Sequence, residues 1–395
     1  MERNKGKFFT SVSLGTAAVW FSTHCGAGFA SGTQELQYFS NHGWFGPLMP
    51  LLSILIIAIT YYFCIEIARL TDKWSYDAWS KEAFDPLSKF CSIAVEISIV
   101  ITTVAASAAA IAAGAALANT TFGMPIWMGS ILMFLIITLL CIFGEKVVRN
   151  NAIIMTIAIL AIISFILVVG LFKFWPNIVN LFSEGYVNPN ASKWSVSGSG
   201  GTTEGSFFNS LLWALTYSGF QFGAIGGVAA SFKGATSSKE SVAAMGIGYV
   251  INTIMLAGIC LLIFSGMPEI YNDEQARLLP TVFMVNQLDL PFLSVIYPLL
   301  LFLALITTAV GLTFGMVQRL DPYVLRNVKN PLVRKAAISI ICLGICYAVS
   351  TLGLMWVIQV AYKYLGIFNW IFLIIPLWIL GGKNIKRRRN AQKSN

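Results

Sequence analysis

Trp20-Phe-Ser-Thr-His-Cys-Gly-Ala-Gly-Phe-Ala-Ser-Gly-Thr-Gln-Glu-Leu-Gln-Tyr-Phe39 is the stretch on which the fold turns. It continues an apolar run that begins at Phe8, so a membrane helix is in progress. Yet Gly26, Gly28 and Gly32 fall at its centre, with Thr23, Ser31, Gln34 and Glu35 around them. In lipid an unpaired backbone group costs roughly several kcal/mol, so broken backbone persists at that depth only where it lines a protected cavity. Glycine-interrupted apolar segments at matching places in two halves of a chain point to a binding site between them. A second such segment runs from Thr216 to Gly227.

Composition sets the setting. Of 395 residues 57% are hydrophobic and only 11% charged, with a mean hydropathy of +0.75. Soluble chains carry about 25% charged residues. The chain reads as an all-α integral membrane protein. Apolar runs of about 20 residues give ten spans: 8–40 (broken), 47–70, 88–118, 125–144 and 150–174, then 206–232 (broken), 240–266, 290–320, 333–350 and 353–381. The last is ambiguous. Residues 353–363 read as the start of the span or as a short helix on the outer surface, with the span proper beginning near Tyr364. The second placement is preferred, which leaves Lys363 at the outer surface.

The net charge of +9 raises the question of nucleic acid, but the placement of the charges answers it. Of 26 basic residues, 22 lie at 3–7, 69–89, 146–149, 233–239, 319–335 and 383–393, all on one side of a ten-span layout. Lys173, Lys193 and Arg277 lie opposite. By the positive-inside rule both termini are cytoplasmic, in the cell membrane. The tail 382–395 is then a basic anchor beside anionic lipid, and no nucleic-acid partner is expected. No A-x-A-like site follows the first apolar run, so it reads as mature protein and not as a leader. The seven cysteines form no CxxC pair, which argues against a disulfide framework or a zinc site.

Five spans in each half (8–174 and 206–381, around an outer loop 175–205) put the second half in the membrane upside down. The first span of each half is broken, the third is the longest, and the half-lengths nearly agree, which favours an inverted repeat in one domain. The loop Pro176–Gly205, rich in Ser, Gly and Asn, reads as a mobile connector able to gate the outer vestibule. Trp74, Tyr76, Trp79 and Phe84 among charges suggest a short interfacial helix in 71–87.

Gly26-Ala-Gly-Phe-Ala-Ser-Gly-Thr-Gln-Glu35 resembles the first-helix signature of the YkvI-type putative amino-acid permeases of the APC superfamily. The resemblance implies a LeuT-type 5+5 inverted repeat, with substrate where spans 1 and 6 unwind against spans 3 and 8. It covers the ten-span layout, while the specific motif is confined to the first break. Ala304-Leu-Ile-Thr-Thr308 is similar to the span 8 hydroxyl pair that holds sodium in members of this fold. That similarity implies a sodium site from the carbonyls of Ser22, Cys25 and Ala304 and the hydroxyls of Thr307 and Thr308. Oxygen ligands suit a hard cation. In the alternative reading the two threonines bond only to carbonyls one turn back.

The break offers free amides around Gly28 to Ser31, at the positive end of the outer half-helix, where a carboxylate is favoured. Thr23, Gly26, Ala27, Gly28, Phe29 and Ser31 are the candidate substrate contacts on that side. From the second break, Tyr217 or Phe220 is placed to close over a substrate, with Ser218 and Gln221 on its amino group or side chain. The alternative is a glycine-rich packing interface. Thr102 faces the site or serves close packing in the Ala/Ser/Thr run of span 3. Glu35 and Glu96 are coupling candidates, since an ionisable group inside a membrane is functional by default. Glu66 reads as a local ion pair with Arg69, and His24 as a hydrogen-bonding residue.

These readings describe a secondary transporter of an amino acid or related small amine or carboxylate, symported with sodium or, alternatively, with protons. No G-x-x-x-x-G-K-[ST] stretch is present, so energy comes from a gradient. A nutrient sensor of the kind that resembles germination-receptor subunits is the reading from another class. An enzyme is disfavoured, because the chain has two histidines, no HExxH and no acid cluster. No cofactor is expected beyond the coupling ion, and the resemblance implies a LeuT-type protomer that works by itself, with the oligomeric state left open.

Overall fold

The computed structural model describes residues 7–24, 26–195 and 207–394, with side chains placed at all of these except 27, 144–156, 393 and 394. Among them ten membrane-crossing segments follow one another. Span 1 is Ser11–His24, then Ala27–Ser31 and Thr33–Tyr38 after the break. Spans 2 to 4 are Gly46–Thr71, Ser88–Phe122 and Ile126–Phe143. Span 5 is Glu145–Ser183. Span 6 is Phe207–Phe220, the tight turn Gln221–Ala224 and Ile225–Ser231. Spans 7 to 10 are Ser238–Phe264, Pro291–Leu320, Pro331–Ser350 and Leu354–Gln392. Eight of these are long and apolar enough to cross a bilayer unaided; spans 1 and 6 are broken into pieces too short to do so.

The local reasons are legible. Span 7 starts at a full capping box, in which the Ser237 hydroxyl takes the Glu240 amide and Glu240 returns to the Ser237 amide. Asn330 caps span 9 just ahead of Pro331. The interfacial helix is present as Tyr76–Ala83, with Trp79 and Phe84 fully buried. Thr10 and Arg389, near the two ends of the described chain, lie on one face, since Thr10 donates to Glu240 of span 7 at 2.8 Å and Arg389 pairs with Glu66 of span 2.

Two boundaries differ from expectation. Span 5 continues through Pro176 to Ser183, so the outer loop begins there and not at Pro176. Span 10 runs without interruption from Leu354, so there is no separate surface helix at 353–363. Lys363 lies inside that span and is fully buried, donating to the Ser195 carbonyl at 2.9 Å. An ammonium that finds a carbonyl can be enclosed, which hydropathy alone does not register.

Candidate functional site

Span 1 bends at Gly26, whose φ and ψ are extended, and restarts at Ala27. It turns again at Gly32, where φ is +82 and a Cβ would meet the Thr281 amide nitrogen at 2.8 Å. Only glycine fits there without strain. The second break is gentler, a single 3₁₀ turn between two α-helical pieces. Side chains take carbonyls at the turn and in the helix before it: Tyr61 donates to Gln221 at 2.6 Å, Asn369 to Gly219 at 2.9 Å and Trp370 to Leu215 at 2.6 Å. At the first break Tyr297 of span 8 donates to the Ala30 carbonyl at 2.5 Å. Broken backbone is thus re-satisfied from neighbouring spans, as lipid demands.

The two breaks meet. A Cβ at Gly26 would lie 3.8 Å from the Thr308 methyl, one at Gly227 would lie 3.8 Å from the Thr23 methyl, and one at Gly223 would overlap Thr102. Spans 1, 3, 6 and 8 therefore converge on the expected residues. Tyr217 is fully buried and its hydroxyl lies 2.7 Å from His24 Nε2. Phe29 is buried beside the His24 ring. Phe220 stacks on Tyr362 at 4.7 Å and lies against Tyr38, which also touches Trp213 and Tyr217.

Other expected contributors are placed differently. Ser31 donates to the Gly28 carbonyl at 2.9 Å, and Ser218 donates to Leu215 at 2.6 Å, both within their own segments. Gln221 is engaged through its backbone carbonyl, and its side chain is buried. Thr102 bonds back to Ser98 at 2.7 Å. Thr307 donates to Leu303 and Ala304 at 3.0 and 3.1 Å, while Thr308 is the member of the pair that faces the break. Ser22 is exposed. Cys25, the Ala27 side chain and loop residues 196–205 lie outside what is described.

The two acids part company. Glu35 lies beyond the break, fully buried, with neither oxygen bonded among the described residues. Glu96 pairs with Arg319 near the terminal face, half-exposed, and Arg319 sits over the Tyr76 ring at 4.7 Å. Glu66 pairs with Arg69 as expected, and also with Arg389, Ser238 and Ser241.

Exposure around the break is asymmetric. Toward the terminal face Ser22, Thr23 and Gly227 are exposed. Toward the opposite face the outer half of span 1 packs on spans 3 and 8, and the aromatic cluster lies buried above the break. Over it sits a strap of the inter-repeat loop: Ser192 accepts from Asn209 and Trp213 at 3.0 and 2.9 Å, and Trp194 donates to Thr216 at 2.8 Å.

Sequence reasoning passed over His24 as a bridge. Asn252 donates to the Gly248 carbonyl at 2.7 Å, so its oxygen accepts from His24 Nδ1 at 2.6 Å, and Nε2 lies 2.7 Å from the Tyr217 hydroxyl. One imidazole thereby joins spans 1, 6 and 7. The signal available in the sequence was Asn252, an amide among the apolar residues of span 7.

Neither a family model nor a curated protein sequence matches the chain. Solved structures do. A substrate-bound, outward-open sodium-coupled sialic acid symporter aligns over 87% of this chain and 74% of its own, at 13% identity and TM-score 0.53. A histidine-to-alanine mutant of the Eremococcus coleocola manganese transporter aligns over 92% and 77%, at 15% identity and TM-score 0.53. The inward-facing conformation of Mhp1 aligns over 90% and 73%, at 11% identity and TM-score 0.57. With ten spans and paired breaks, these define an all-α integral membrane protein of LeuT-type fold.

Proposed function

We propose that the chain is a secondary active transporter working by alternating access, and that it symports an amino acid or related small amine or carboxylate with sodium. The observation that carries this is the meeting of the two broken spans with Thr308 of span 8 against Gly26 of span 1. The structural neighbours that move solutes across membranes support the same reading. The basic residues of the terminal face favour a cytoplasmic position for both ends in the cell membrane, and the Gly26–Glu35 motif favours the YkvI-type permeases of the APC superfamily.

In this reading the carbonyls of Ser22, Cys25 and Ala304 and the hydroxyls of Thr307 and Thr308 hold the sodium ion. The hydroxyl of Thr307 turns from its local carbonyls to the ion as span 1 closes on span 8. Substrate lies between Gly26, Gly28 and Phe29 on one side and Tyr217 and Phe220 on the other. The buried Glu35 favours proton coupling as the second reading.

The test is uptake of a pooled radiolabelled amino-acid mixture into proteoliposomes, under an inward sodium gradient or an equal potassium one. Accumulation driven by sodium is expected, and Thr308→Ala should abolish the sodium dependence. Accumulation driven by an imposed pH gradient alone moves coupling to Glu35 or Glu96. Binding without uptake in either gradient overturns transport in favour of a sensor.

A further inference from the structure

Beside Glu66, where spans 2 and 10 reach the terminal face, lies a cavity of about 290 Å³, close to the roughly 300 Å³ at which small-molecule pockets begin. Its walls combine two cations, Lys386 and Arg389, with the Tyr62 hydroxyl and the apolar side chains of Phe63 and Ile385, and no carboxylate lines it. Lys386 is exposed and has no ion-pair partner among the described residues. Arg389 spends Nε and Nη2 on Glu66, Tyr62 and Ser238, and its Nη1 group takes part in none of these bonds. Tyr62 accepts from Arg389 at 2.7 Å, which leaves its own hydrogen to give. Glu66 faces both Arg69 and Arg389 and neutralises one charge of the two, so the layer stays positive.

Two rows of exposed apolar side chains lead to this cavity from the bilayer. Leu52, Leu55 and Ile59 follow one another at helical spacing on span 2, one turn before Tyr62 and Phe63. Ile371, Ile375 and Ile379 do the same on span 10, one turn before Gly382. The rows belong to adjoining spans, because Trp378 donates to Thr60 at 3.1 Å and a Cβ on Gly382 would stand 3.5 Å from the Phe63 ring. An amphiphile matches both features at once. Its chains lie along the apolar rows, and an anionic head with several acceptor oxygens meets an ammonium, a guanidinium and a hydroxyl. Charge-assisted bonds of this kind are roughly twice as strong as neutral ones. Basic pockets between spans at a membrane face are where anionic headgroups are held.

We propose that the cavity between spans 2 and 10 is a headgroup site for one anionic phospholipid, whose phosphate is held by the Lys386 ammonium, Arg389 Nη1 and the Tyr62 hydroxyl. This goes beyond the transporter reading and does not depend on it. It also differs from a diffuse attraction of the basic tail to the membrane, because it assigns one lipid to one set of donors.

The test uses the full chain in neutral detergent, titrated with phosphatidylglycerol or phosphatidylcholine, with retained lipid counted by native mass spectrometry. A single phosphatidylglycerol should be retained first and should raise the midpoint of thermal unfolding, as a ligand of the folded state does. Phosphatidylcholine, whose ammonium cancels the charge of its phosphate, should bind more weakly. Lys386→Gln should lower the affinity for that first phosphatidylglycerol about fivefold, the effect of one basic residue at a membrane surface, while Lys386→Arg should stay near wild type. Lys233→Gln removes the same charge from an exposed position of the same face outside the cavity and should leave the affinity unchanged. Equal losses in the two glutamine variants overturn the site in favour of diffuse attraction. Equal retention of the two lipids overturns the anionic headgroup. Displacement of the lipid by excess inorganic phosphate, at an ionic strength matched with chloride, assigns the cavity to free phosphate and overturns the lipid. Size-exclusion confirms that the variants fold. Tyr62→Phe, which removes one donor and keeps the ring, should also weaken retention and repeats the test at a second wall if Lys386→Gln does not fold.

Discussion

The two faces of the molecule are held by different physics. Toward the face opposite the termini lie packed aromatic rings and buried donors met by oxygens, from Phe220 on Tyr362 to the Trp194 indole on the Thr216 hydroxyl and the Lys363 ammonium on the Ser195 carbonyl. Most of the ion pairs among the described residues lie at the terminal face, Glu66 with Arg69 and Arg389, Glu96 with Arg319, Glu82 with Arg388 and Asp321 with Arg334, while Lys173 with Asp289 lies at the opposite one. Yet it is on the terminal side that Thr23 and Gly227 stand exposed beside the break. The ion pairs join the ends of spans 2, 3, 8, 9 and 10 to one another and to the interfacial helix. They brace the terminal ends of the spans. The packed rings and the capped donors lie over the break on the other side.

That contrast can be broken from either side. The largest effect is expected at Glu66, a fully buried carboxylate held by two arginines and two serine hydroxyls. Removing one partner of a buried pair costs about 3–5 kcal/mol. Arg389 is partly exposed, so a loss of about 2–4 kcal/mol is expected for Glu66→Ala once screening is allowed for. It should appear as a lowered midpoint of thermal unfolding in detergent, and an unchanged midpoint would remove the bracing role.

On the side of the packed rings, Gly219 and Gly366 lie where spans 6 and 10 cross. A Cβ on Gly219 would overlap the Gly366 carbonyl, and one on Gly366 would overlap that of Thr216. Gly219→Ala should cost about 1–3 kcal/mol by overpacking and loosen the Phe220–Tyr362 stack. Faster trypsin cleavage at the exposed Lys193 of the strap would report that loosening; a stability loss without it would detach the crossing from the rings.

Tyr217→Phe deletes the hydrogen bond to His24 and keeps the ring. Its stability cost should be only about 0.5–1.5 kcal/mol, while amino-acid uptake should fall far more than the melting point does. Equal, small effects on both would make the His24 bridge merely structural.

The smallest effect belongs to Asp321, where the Arg334 guanidinium holds the carboxyl below its ordinary value. Its contribution is present above the ordinary aspartate range and is lost as pH falls through the lowered value. Melting curves of wild type and Asp321→Asn should therefore differ slightly at neutral pH and converge in acid. A difference that persisted in acid would refute the ion-pair account.

Much of this was legible in the chain itself. Ten apolar runs, the glycines at Gly26 and Gly32, the second break near Gln221 and the Glu66–Arg69 pair all depend on local composition or on spacing along one helix. The pairing of Thr308 with Gly26 was legible through resemblance. What escaped reading was contact between distant segments. Pro176 stops a helix in most settings, but span 5 carries on past it to Ser183. Lys363 looked like a surface residue because its acceptor, Ser195, lies 168 positions away. The same distance in sequence hid His24 from Asn252 and Tyr217, which lie on spans 7 and 6.

The sequence by itself therefore determined the all-α membrane class, the inverted halves and the positions at which two spans break, because hydropathy and glycine act locally. Only the tertiary structure decided on which side the rings pack, what caps the broken backbone and where Lys363 and Glu35 reside. Those outcomes depend on which donor meets which carbonyl inside a medium without water, and that is settled when the spans pack against one another.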